Sequence, residues 1–191
     1  AYRLHAFKQA YHRYTRLYSK KYDLLICLPA LSDQIFEREK TKVVELLKGI
    51  DRDRYPNILV RPRPVNKFKL DRRLNSELRK FKVEIDSAKR PVYKSMAESN
   101  AVVHLASPST TLLEALFVDK PIMTMLVNSK PSELIIPYYS YMLKRSVYHQ
   151  SCISLVRSLN STRLEDWFAD VNAESELKSY KHLFLRASLV Q

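Results

Sequence analysis

A doubly wound α/β fold around a parallel sheet is predicted by three features of this 191-residue sequence. Short continuous apolar runs alternate with stretches of helical period, giving the order βαβαβαβαβ. The runs are apolar throughout rather than at every second residue, as strands covered on both faces must be. The connections between them are short, which suits crossover units.

Each element has its own signal. Leu4, Phe7, Tyr11, Tyr14 and Tyr18 recur three or four residues apart, predicting a helix from Tyr2 to about Lys20, with Arg3, Lys8, Arg13, Arg16 and Lys20 between them. Asp23–Leu28 reads as a buried strand ended by Pro29. Ser32 or Asp33 can cap a helix running to about Lys48, with Gly49 as its stop. Asn57–Arg61 is a second strand, halted by Arg61-Pro62-Arg63-Pro64 because proline cannot donate to a ladder. A charged helix from about Asp71 to Lys80 precedes a short strand at Val83–Ile85. Pro91 opens a helix reaching about Ser99. Ala101–Ala106 is the clearest strand; a helix from about Ser109 to Val118 and a strand at Ile122–Leu126 follow. From Ser132 onward the pattern predicts helices only, at about Ser132–Lys144, Cys152–Leu159 and Leu164–Arg186, broken near Asn172. The expected organisation is a basic amphipathic helix over 1–21 and one α/β domain over 22–191, with extra C-terminal helices from about 132.

Composition narrows the function. Hydrophobic residues make up 46% and charged residues 28%, a globular balance at a length that suits one domain. No run of about 18 apolar residues occurs, and the first 21 residues lack a signal-peptide core, so a trimmed cytoplasmic piece is expected. Cys27 and Cys152 are too few for a disulfide framework, and Cys27 reads as a small buried hydrophobe. The formal charge of +13 suits a phosphorylated or polyanionic partner. Gly49 is the single glycine, so neither a G-x-G-x-x-G turn nor a G-x-x-x-x-G-K-[ST] loop is possible. Any phosphate must be held another way.

The segment able to do so is Ala101-Val-Val-His-Leu-Ala-Ser-Pro-Ser-Thr-Thr-Leu-Leu-Glu-Ala-Leu-Phe-Val-Asp-Lys-Pro-Ile122. It reads as strand, hydroxyl-rich turn, helix and entry to the next strand. Ser107, Ser109, Thr110 and Thr111 gather where unpaired N–H groups and the helix dipole favour an anion. Ser107 or Ser109 is either a plain N-cap or part of that anion site; four hydroxyls exceed what capping needs. Glu114, one turn further, either accepts hydrogen bonds from a ligand's hydroxyls or is a solvated helix residue.

The pattern S-x-S-T-T-x-x-E-A-L-x-x-x-K-P-I resembles the donor-site motif of GT-B glycosyltransferases, nearest to bacterial surface-carbohydrate and capsule polysaccharide transferases. The resemblance implies a Rossmann-like C-terminal GT-B domain, with Ser109, Thr110 and Thr111 on donor phosphate and Glu114 on ribose. It also implies a nucleotide-activated sugar or polyol phosphate as substrate, a glycan or lipid-linked acceptor, no separate cofactor, and an N-terminal GT-B half outside this chain. The segments 131–143, 147–150 and 164–168 look like that group's closing helices, and His149 is placed to touch the donor. Where many relatives carry His-Pro, this chain offers Arg61-Pro62 and Arg63-Pro64; each arginine either contacts phosphate or is a solvated loop charge. Asp119 stands where the family usually has glycine, and Ala106 where retaining enzymes carry a second glutamate, so an E-x7-E mechanism is not expected.

Other chemistries find less support. His5, His12, His104, His149 and His182 form no metal-binding pair. His104 reads as a core histidine in the central strand. The basic residues between Arg52 and Lys82 are either a solvated face or a contact for an anionic glycan or the inner face of a membrane; they lack the interleaved aromatics of a stacking platform, so nucleic acid is not the expected partner. The alternative function is a non-catalytic basic α/β module for nucleic acid or anionic membrane that keeps a silent donor turn. A sugar-nucleotide epimerase relative would share fold and motif, but its acids and histidine cannot be placed.

Overall fold

The computed structural model describes residues 2–28, 36–62, 72–87, 89–105, 110–125, 147–149 and 151–167. Six strands, β1 (Tyr22–Cys27), β2 (Ile58–Arg61), β3 (Glu84–Ile85), β4 (Ser99–Leu105), β5 (Ile122–Met125) and β6 (Val147–His149), form one sheet in the order β3-β2-β1-β4-β5-β6. Every neighbouring pair is parallel. This is a Rossmann-like order, and it reverses between β1 and β4.

Among the described residues six helices cover it: α1 (Tyr2–Leu17), α2 (Phe36–Gly49), α3 (Arg72–Lys80), α4 (Val92–Ala97), α5 (Thr110–Phe117) and α6 (Cys152–Ser161), followed by a 3-10 turn at Leu164–Trp167. The alternation of side chains along each strand makes two cores. Leu24, Ile26, Ile58, Val60, Ala101, Val103, Leu105, Met123 and Met125 meet α2, α3, α6 and Trp167 on one face. Leu25, Cys27, Leu59, Val102 and Ile122 meet α1, α4 and α5 on the other. The split follows from handedness. Crossovers stepping from β1 towards β3 must place α2 and α3 on one side, and those stepping back towards β5 must place α4 and α5 on the opposite side.

Three details depart from the sequence pattern. β4 begins at Ser99 rather than Ala101, and α4 ends two residues early, because buried Ser99 replaces apolar signal with a hydroxyl donated to the Ser95 carbonyl at 2.7 Å. β6 lies where only helices were expected, being three residues long and too short for any period to register. Residues Leu164–Trp167 form a 3-10 turn rather than the start of an α-helix, with Trp167 fully buried. The predicted helices at Ser132–Lys144 and beyond Trp167 lie outside the described residues. Among the described residues no helix is long and apolar enough to cross a membrane.

Gly49 does end α2, but not in the left-handed conformation of a glycine stop. It is there for closeness: a Cβ at this position would stand 2.7 Å from Val156 Cγ1 on α6. The left-handed positions fall instead on Lys82 (φ 51°) and Asp119 (φ 53°). At the end of α5 the Lys120 N–H donates to the Ala115 carbonyl at 3.0 Å and the Asp119 N–H to Leu116 at 3.2 Å. This is a Schellman closure, with aspartate in the place usually given to glycine.

Gly49→Ala should therefore destabilise by about 1–3 kcal/mol through overpacking, although alanine is the better helix former. Adding Val156→Ala should make the double variant less destabilised than the sum of the two single changes, as read by urea denaturation; simple additivity would refute the contact. Asp119→Gly should stabilise by about 1 kcal/mol and Asp119→Val should destabilise, since only the former relieves the positive φ.

Candidate functional site

The carboxyl edge of the sheet is the place to look, because there the strand order reverses between β1 and β4. One register row runs across it: Arg61 beside Cys27, Cys27 beside His104, and His104 beside Thr124. All four belong to the face that α1, α4 and α5 cover, two residues on from the apolar Leu59, Leu25, Val102 and Ile122. Polar side chains thus replace apolar ones as the row nears the edge. Asp86 follows β3 and extends the row, its N–H donating to the Val60 carbonyl at 2.9 Å.

Arg61 is buried, so it is not a solvated loop charge. Its guanidinium donates to Asp86 Oδ2, to Ser95 Oγ at 3.0 Å and to the Arg90 carbonyl, while Ser95 Oγ donates in turn to Asp86. Arg90 continues the chain by donating to Glu98 Oε1, which also accepts from Tyr14 Oη at 2.8 Å. Burial alone would raise the Glu98 carboxyl; the hydrogen bonds from Arg90 and Tyr14 override it and hold the group below its ordinary range.

Glu114 is buried as well, at 5% exposed, which removes the reading of a solvated helix residue. It lies within electrostatic range of Cys27, as do Arg61 and Asp86. Burial, more than these charges, pushes the Cys27 thiol up to about 12, so it behaves as a small hydrophobe. The fold therefore brings Arg61 and Glu114 to one face near the switch point. Thr110 opens α5 and is exposed, and Thr111 is half-buried beside it. Ser107, Ser109 and Arg63 lie outside the described residues.

His149 is placed differently. It is the register partner of Met125 and so belongs to the opposite, α2–α6 face. It is buried, and desolvation holds its imidazolium below the ordinary value. Its Nε2 and the fully buried Thr124 Oγ1 have no hydrogen-bond partner among the described residues. Thr124 carried no motif and was not singled out from the sequence, nor were Asp86, Arg90 and Glu98. The usable signal for Asp86 was its place immediately after a short parallel strand, where carboxylates meet ligands or arginines. Among the described residues no three His, Cys, Asp or Glu side chains gather to hold a metal ion.

The opposite edge of the sheet is polar for other reasons. An open hollow of about 230 Å³ lies there, lined by Asp23, Arg54, Tyr55, Asn100, Arg163, Leu164 and Glu165. Arg54 Nη1 in it already donates to the Asn160 carbonyl at 2.6 Å, tying α2's exit to the end of α6. Nearby, Lys120 is buried and donates to the Ser99 carbonyl, which also accepts from Lys20 Nζ at 2.9 Å. Desolvation, reinforced by the neighbouring Lys20, pushes the Lys120 ammonium down to about 6.

Compared with models of known protein families and with curated proteins, the chain matches none.

The Lys120 burial gives stability a pH dependence with a definite sign. An unfolded lysine keeps its proton to about pH 10.4. Between about 6 and that value the unfolded chain binds more protons, so stability rises with pH across this window. Lys120→Met should raise the melting temperature near pH 6–7, with the gain closing towards pH 10; a gain independent of pH would refute a buried neutral amine.

Proposed function

We propose that this chain is the donor-binding half of a GT-B-like glycosyltransferase, taking a nucleotide-activated sugar or polyol phosphate for transfer to a surface glycan. The observation that carries the proposal is where α5 begins. A helix opening on Thr110 and Thr111 starts at the carboxyl edge of a parallel sheet, beside the point where strand order reverses. The positive end of the helix dipole favours phosphate there without any glycine-rich loop. Glu114, one turn in on the sheet-facing side, is the candidate ribose ligand, and Thr124 Oγ1 adds a polar atom with no partner among the described residues. Together with the S-x-S-T-T-x-x-E pattern these features support donor binding.

In this reading the charge that builds on the departing nucleotide is stabilised by the α5 N–H groups and the hydroxyls of Thr110 and Thr111. Arg61 serves indirectly: its guanidinium donates to Asp86, Ser95 and Arg90, and so fixes the β2 and β3 ends that flank the cleft. The acceptor and the catalytic base belong to the other half of such an enzyme. This chain alone should bind donor and turn over little.

The test is thermal shift against CMP, CDP, UDP and GDP. One nucleotide should raise the melting temperature by several degrees at saturation, as ligand at about 100 times its Kd adds roughly 2.7 kcal/mol. Thr110→Val, at an exposed position, and Glu114→Gln, which keeps the side chain's volume, should each reduce the shift. Flat curves with folded protein at millimolar nucleotide would refute donor binding by this chain and favour the basic binding module.

A further inference from the structure

We propose that the outward face of α1 is a seat for an anionic lipid surface. The helix holds Arg3, Lys8, Arg13 and Arg16 and no aspartate or glutamate. Its inward side is spent on the fold. Tyr11 is buried in the α4–α5 core, Phe7 and Tyr14 meet Tyr93 edge-on, and Tyr14 donates to Glu98. Its outward side leaves His5, Gln9, His12, Arg13 and Arg16 exposed along one stripe. The stripe ends on Leu17, 70% exposed, and Tyr18, 50% exposed, followed by the exposed Lys20 and Lys21. Leu17 and Tyr18 are two of the three large hydrophobic residues that stand exposed among the described residues.

The combination selects the partner. Cations around an exposed leucine match a membrane interface, where the apolar side chain enters the acyl boundary while the ammonium and guanidinium groups meet lipid phosphates. Glu98 is buried and takes Arg90, Tyr14 and, at 3.7 Å, Lys21, while Lys20 Nζ is held by the Ser99 carbonyl, so the charge of the stripe rests on Arg13 and Arg16. A nucleic acid would want free aromatic faces instead. Tyr18 has one ring face covered by Tyr14, with centroids 4.2 Å apart and planes 19° apart, and Leu17 offers no stacking surface. The seat is independent of donor binding and would stand if that reading failed.

The experiment is co-sedimentation of the whole chain with mixed phosphatidylcholine–phosphatidylglycerol vesicles, against pure phosphatidylcholine. Binding should require the anionic lipid and weaken as salt is raised. Arg13→Ala and Arg16→Ala should each cost about fivefold, and Leu17→Ser about tenfold. All three positions are exposed, so the variants should melt with the parent. Lys48→Ala with Arg79→Ala, on the opposite side of the sheet, should bind like the parent. Absence of binding to anionic vesicles, equal loss in the Lys48–Arg79 variant, or full binding by Leu17→Ser would each overturn the proposal. Displacement by an oligonucleotide that leaves Leu17→Ser unaffected would assign the stripe to nucleic acid instead.

Discussion

Much of one face of this fold hangs on the buried pairing of Arg61 with Asp86. Two charges at the ends of adjacent strands leave water together, a cost met only where every donor and acceptor finds geometry. Ser95 bridges both members, and the Arg90 carbonyl takes the remaining side of the guanidinium. That arrangement locks the turn after β3, which fixes where α4 starts. The Arg90 side chain then reaches Glu98 at the far end of α4, where the Glu98 carbonyl accepts from the Lys21 and Tyr22 N–H groups as β1 begins. Removing one member would strand a buried charge, at about 3–5 kcal/mol. The network thus ties β1, β2, β3, α1 and α4 into one polar frame.

Scarcity of glycine is the second constraint. Among the described residues two helix exits have a positive φ, and the chain uses Lys82 and Asp119 for them, each accepting conformational strain of about 1 kcal/mol or more. The lone glycine is kept for α2 and α6 to approach. With a single glycine the chain has no glycine-rich loop to wrap around a phosphate, so helix termini, hydroxyls and basic side chains are the groups it has for an anion.

The parallel sheet was readable because apolar runs such as Leu24–Cys27 and Ala101–Leu105 are long enough to carry a period-independent signal. The boundaries that failed are polar ones. Ser99 sits in a strand but is satisfied by the Ser95 carbonyl, a partner no local pattern reveals. β6 is recognisable by its parallel register with β5, which no local pattern in three residues reveals. Glu114 and Arg61 were legible as candidates, yet their burial was not, since exposure is decided by α4 and α5 packing from elsewhere in the chain. Asp86, Arg90 and Glu98 matter only jointly, and spacing alone does not announce a joint role.

The switch between β1 and β4 has a consequence for how the chain reaches its native state. Leu24 pairs with Ile58 and Val102 with Ile122 across moderate stretches of sequence, whereas Leu24 and Ala101 are more than seventy residues apart. Closing the longer loop costs more entropy, and contacts of high sequence separation slow folding. Two βαβ halves can therefore assemble first and join along β1 and β4 last. The row from Arg61 through Cys27 and His104 to Thr124, which draws on both halves, then lines up only once the whole sheet has closed.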